Sequence, residues 1–106
     1  MIQNLSQLKK AIKAGVRFEI IDHCRIECIG EIRRVTLANT QGLYSVVDGQ
    51  PDHAISKGND GRGAILTWEK AGSWEFRDGL CTQYFTHEAH TAENVAISFR
   101  ILEEAA

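Results

Sequence analysis

The sequence predicts an α+β domain: one N-terminal helix packed on a curled antiparallel sheet of about six strands, or on a small open barrel. Three observations carry this. Apolar residues at helical spacing are confined to the first fifteen positions, a period of two sets in at Val16, and Asp78-Gly79 stands between two apolar-rich runs. The first pattern means an amphipathic helix, the second a half-buried strand, and the third a tight hairpin.

The helix is expected over residues 4–14. Asn4 is placed to cap it, Gln7 three residues on completes a capping-box spacing, and Gly15 is placed to end it. Leu5, Leu8, Ala11 and Ile12 share one face, while Lys9, Lys10 and Lys13 lie away from it or along its edge. Lysines in the last turn also suit the negative end of the helix dipole.

From Val16 the apolar residues are even-numbered (Val16, Phe18, Ile20, Cys24, Ile26, Cys28) and the polar ones odd (Arg17, Glu19, His23, Arg25, Glu27). This predicts a strand over 16–21, a bend at Asp22-His23 and a second strand through Cys28, each with one face on the core. The alternation fails near Gly30, where a bulge or a strand break is expected. Asn39-Thr40-Gln41-Gly42 reads as a turn, with residues 43–47 as the returning strand. Residues 48–63 carry four glycines and the only proline and show no periodicity. A connection of that length in a small domain is expected to be functional or mobile.

Residues 64–69 read as a strand. In Asp78-Gly79 both residues reach positive φ cheaply, so a two-residue type I′ turn pairs 73–77 with 80–85. These three segments are expected to form the centre of one sheet. At the C-terminal end, Val95, Ile97, Phe99 and Ile101 alternate with Ala96, Ser98 and Arg100, which predicts a strand over 95–102. A helix from about Thr91 is the competing reading, and the β-branched and aromatic content favours the strand.

With 106 residues the chain is expected to be a single domain, 1–106, able to bury one core. A hydrophobic fraction of 43% and a charged fraction of 25% exclude intrinsic disorder. No apolar run approaches the roughly 18 residues of a membrane span, and MIQNLSQLKK lacks the apolar core of a secretory signal. A cytoplasmic protein with no membrane association and three reduced cysteines is the expectation. The net charge of −2 is unevenly spread: residues 1–47 carry +3 and residues 48–106 carry −5. Neither half has the strongly basic balance of a polyanion-binding domain.

Each chemical motif is weaker than its structural alternative. His23, Cys24, Cys28, Cys81, His87 and His90 are of the types zinc prefers, but Cys24 and Cys28 fall in an alternating pattern and read as buried core thiols. Cys81 with a nearby histidine lacks any placed cation to activate it. The glycines Gly58, Gly61 and Gly63 precede a strand, whereas a phosphate loop must lead into a helix. Asp22-His23 and His87-Glu88 are adjacent in sequence, and adjacent residues of a strand point to opposite faces. No catalytic residue, metal ligand or cofactor is therefore assigned, and the protein is not expected to be an enzyme.

The segments His23-Cys24-Arg25-Ile26-Glu27-Cys28-Ile29-Gly30, Trp74-Glu75-Phe76-Arg77-Asp78-Gly79-Leu80-Cys81 and Ser98-Phe99-Arg100-Ile101-Leu102-Glu103 together resemble small accessory proteins carried by phages and integrative elements of gut anaerobes. The resemblance runs over most of the chain and carries no catalytic or binding residue with it. It implies a bacterial cytoplasmic accessory protein that binds, and in some cases inhibits, a host or defence protein. A non-enzymatic protein-binding module is thus expected. Lys57, Arg62, Trp68 and Trp74 are its candidate contacts, on the premise that one tryptophan stands exposed at the rim of the sheet. The alternative is a nucleic-acid-binding accessory domain using Arg33, Arg34, Lys57 and Arg62, and a zinc-stabilised module ranks third.

Overall fold

The computed structural model describes residues 2–49 and 64–102. Among these, one helix, α1 (Leu5–Ala11), precedes seven strands: β1 (Arg17–His23), β2 (Ile32–Ala38), β3 (Gly42–Val47), β4 (Ala64–Thr67), β5 (Trp74–Arg77), β6 (Leu80–Tyr84) and β7 (Val95–Ile101). All seven join one antiparallel sheet in the order β4-β3-β2-β1-β7-β6-β5. The α+β class holds, with seven strands rather than about six, and the sheet is not closed.

The helix is shorter than its apolar pattern. Asn4 caps it as expected, its Oδ1 accepting from the Gln7 amide at 2.9 Å. Gln7 in turn accepts from the Gln3 amide at 2.7 Å, one residue before the position a capping box would use. The chain leaves the helix at Ile12, whose extended backbone carries its side chain into the core. Burying that isoleucine is worth more than two further residues of helix propensity.

The β1–β2 connection departs most from the alternation. β1 continues through Asp22 to His23, and a 3₁₀ turn, Ile26–Cys28, replaces the expected second strand. A bulge between Ile20 and Asp22 in the β1–β7 pairing has already reversed the parity by then. The phase loss near Gly30 is the end of this turn, where Gly30 takes φ +91°. The Asp78-Gly79 hairpin forms as expected, with φ +53° and +80° at its two turn residues. Residues 95–101 form a strand, not a helix.

One expectation about the sheet is reversed. β4 and β5 are its two edges, and β6 lies next to β5, so the segments expected at the centre are at the periphery. Sequence neighbours pair except β4 and β5, and β1 and β7, the first and last strands, form the middle of the sheet.

Curling brings the two edges towards each other. Trp74 Nε1 donates to the Trp68 carbonyl at 2.6 Å, and Gln83 Nε2 donates to the Thr67 carbonyl at 2.7 Å. The concave face is divided in two. One half holds the core, where Leu5, Leu8 and Ile12 pack with Phe18, Val35, Leu43, Trp68, Trp74, Cys81 and Phe99. Phe18 and Phe99 stand 5.0 Å apart, and Trp74 meets Phe99 edge-on at 6.0 Å. Among the described residues no helix covers the other half.

Candidate functional site

The uncovered half of the concave face is an open cavity of about 370 Å³. Phe18, Ile20, Leu66 and Ile97 supply apolar wall, while His23, Arg33, Ser45 and Gln83 supply polar groups. The β1 bulge is what brings His23 here: it pairs with Ile97, an inward residue, despite its odd number. Arg33 shares the inward parity of Val35 on β2, and Ser45 lies opposite Val35 on β3. Cys24, Arg25 and Cys28 of the connection form the rim.

The polar groups are positioned by local bonds. Glu31 Oε1 accepts from Arg33 Nε at 3.1 Å and Nη2 at 2.7 Å, holding the guanidinium by one edge. His23 Nδ1 accepts from the Arg25 amide at 2.9 Å, so the proton of the neutral ring is on Nε2. Burial, then Arg33 and Arg25, hold the His23 pKa below its usual value, against a smaller opposing pull from Glu31 and Glu27. Ser45 is only 4% exposed and lines the cavity.

Outside this rim the β1–β2 connection exposes isoleucines between charged residues. Ile26 is 80% exposed and Ile29 44%, with Ile21 and Ile32 partly exposed on the flanking strands. Backbone bonds from Ile29 to the Ile26 carbonyl at 3.1 Å and from Gly30 to the Ile20 carbonyl at 2.8 Å pin the turn. Two isoleucines thus project from the connection and two from the strands beside it.

The residues singled out in the sequence are placed differently from expectation. Trp68 and Trp74 are 3% and 5% exposed, so neither stands at the rim as an exposed anchor. Their indole N–H groups explain why burial is tolerated: Trp68 Nε1 donates to the Asn39 carbonyl at 2.8 Å, as Trp74 does to Trp68. Lys57 and Arg62, on the connection 48–63, lie outside the described residues. Arg33 and Arg34 are neighbours on β2 and face opposite sides of the sheet, Arg33 inward against Glu31. They do not form one cationic patch.

Of the thiols, only Cys81 is a core residue. Cys24 is exposed and Cys28 half-buried, which corrects the reading of both as buried, because their strand is a 3₁₀ turn. Burial pushes the Cys81 thiol up to about 11, and burial followed by Glu31 raises that of Cys28. His90 is on the other side of the sheet from Cys81. It bonds to Glu75 Oε2 at 2.6 Å and to the Gly72 carbonyl at 2.9 Å, and stacks on Tyr84 at 4.2 Å. Glu75 precedes Phe76, the residue paired with Cys81, and so points to the opposite face. Among the described residues no group of three or more His, Cys, Asp or Glu side chains could hold a metal ion. No helix among them is long and apolar enough to cross a membrane.

The cavity and the isoleucine patch were both missed in the sequence. A usable signal existed for the first: Ser45 and Gln83 are polar residues at inward positions, between Leu43 and Val47 and between Cys81 and Phe85. For the second, the strand reading through Cys28 placed Ile26 in the core and hid the turn. No family model, curated protein or solved structure matches this chain.

Proposed function

We propose that this protein is a non-enzymatic module that binds another protein through the isoleucine-rich β1–β2 connection. The observation that carries the reading is Ile26, 80% exposed on a turn whose backbone is hydrogen-bonded on both sides. Each isoleucine transferred from water into an interface contributes about 1.5–3 kcal/mol, and a β-branched side chain loses little rotamer freedom in doing so. Neighbouring Arg25, Glu27 and Glu31 give the patch a polar border of the kind that rims protein interfaces. A binding role without chemistry is supported by the thiols: Cys81 is shielded and held as the neutral thiol, and Cys28 is shifted the same way. The resemblance to accessory proteins of mobile elements accords with a partner in the host or in a rival element.

The test compares what the wild-type protein and an Ile26→Asp, Ile29→Asp double variant retain from bacterial lysate. A partner held by the wild type and lost by the variant, with unchanged melting, is the expected result. Equal retention by both proteins would move the interface elsewhere.

A further inference from the structure

We propose that the open half of the concave face binds a small carboxylate with an apolar body, independently of the isoleucine patch. A volume of about 370 Å³ lies within the range of small-molecule sites, and the mouth of a curled sheet is a common place for one. The walls set the body of the ligand. Phe18, Ile20, Leu66 and Ile97 offer apolar contact on several sides of the cavity.

The polar groups set its head. Arg33 uses only Nε and Nη2 against a single oxygen of Glu31, which fixes the guanidinium and leaves its other donors unengaged among the described residues. A guanidinium edge held this way matches a carboxylate bidentately. Ser45, 4% exposed as a residue, lines the cavity and adds a hydroxyl able to donate to a ligand there. His23 contributes a neutral ring whose proton is on Nε2. Arg33 and Arg25 line the cavity and, among the described residues, no carboxylate does, so an anion is favoured over a cation despite the Glu31 carboxylate behind Arg33. Arg33 is paired with Glu31 and Arg25 lies at the rim, so the net positive charge beside the head is small and a monoanion fits better than a doubly charged phosphate.

The experiment is a titration followed by backbone amide NMR, using octanoate, 1-octanol and octylamine. The three share a tail and differ in the head. Octanoate is expected to shift the amides of Ile20, Ser45 and Ile97 saturably and to bind about tenfold more tightly than the other two, the usual value of a charge-assisted hydrogen bond. Arg33→Gln should abolish that preference, and Ser45→Leu, which fills the cavity, should abolish binding by all three while the protein still melts cooperatively. The proposal is overturned if octanoate gives no saturable shift at millimolar concentration. It is equally overturned if the three heads bind alike, or if Arg33→Gln keeps the preference for octanoate.

Discussion

The Trp74 indole N–H donates to the Trp68 carbonyl at 2.6 Å, joining the edge strand β5 to the chain that leaves the opposite edge strand β4. No ladder of backbone hydrogen bonds links these two strands, so the seam depends on side chains. Gln83 makes the second bridge, to the Thr67 carbonyl. Trp74→Phe keeps most of the buried ring and deletes the donor, leaving a buried carbonyl unpaired. The expected cost is about 1–3 kcal/mol, read by urea denaturation. A midpoint equal to that of the wild type would show that the seam closes without this bond.

Two glycines are required for different reasons, and substitutions separate them. A Cβ on Gly42 would meet the Leu66 carbonyl oxygen of the neighbouring strand at 2.1 Å, so Gly42→Ala must push β3 and β4 apart. A destabilisation of about 1–3 kcal/mol is expected for such overpacking. Gly79 has open space around it but sits at φ +80°. There Gly79→Val should cost about 1–3 kcal/mol while Gly79→Asn is nearly tolerated, because Asn enters the left-handed region far more readily. Equal melting for the Val and Asn variants would remove backbone strain as the cause.

Thiol labelling should follow exposure. Cys24 is expected to react with an aromatic disulfide reagent at pH 8 first, Cys28 more slowly, and Cys81 only in denaturant. Cys81 is both buried and shifted to about 11, so almost none of it is thiolate at that pH. Mass spectrometry of the labelled peptides gives the order. Early labelling of Cys81 in the folded protein would contradict its place in the core.

His23 gives a pH dependence with a defined sign. Its folded pKa lies below the unfolded value of about 6.5. Between those two values the unfolded chain takes up a proton that the folded protein does not. The contribution is therefore complete above pH 6.5 and is lost as the pH falls through that window. In His23→Asn, which keeps an acceptor for the Arg25 amide, this part of the acid sensitivity should disappear. The measurement is the difference in denaturation midpoint between the two proteins at pH 7.5 and pH 5. A constant difference would show that His23 titrates alike in both states.

Local chemistry was legible in the sequence wherever one residue type decides the backbone. Asn4 capped the helix, Asp78-Gly79 turned the hairpin, and Asn39 Oδ1 closed the next turn by accepting from the Gln41 and Gly42 amides at 2.9 and 3.2 Å. The strand at residues 95–101 followed from its alternation and its β-branched content. These features draw on interactions within a few residues, which the sequence contains completely.

The tertiary structure alone decided which strands are neighbours and which faces look inward. β1 and β7 meet in the middle of the sheet although they begin and end the run of strands, because pairing them buries Phe18 against Phe99. The bulge after Ile20 turned His23 into the cavity and let the chain break into a turn, so Ile26 faces water and Cys24 is no core thiol. A shift of one residue exchanges the two faces of a strand, and alternation by itself does not record where such a shift occurs. Trp68 went inward against the Asn39 carbonyl of the β2–β3 turn, and Trp74 because the Trp68 carbonyl meets its indole N–H only once the sheet has curled. The composition supplied the large rings and the polar cavity residues, and the curl of the sheet decided which of them it enclosed.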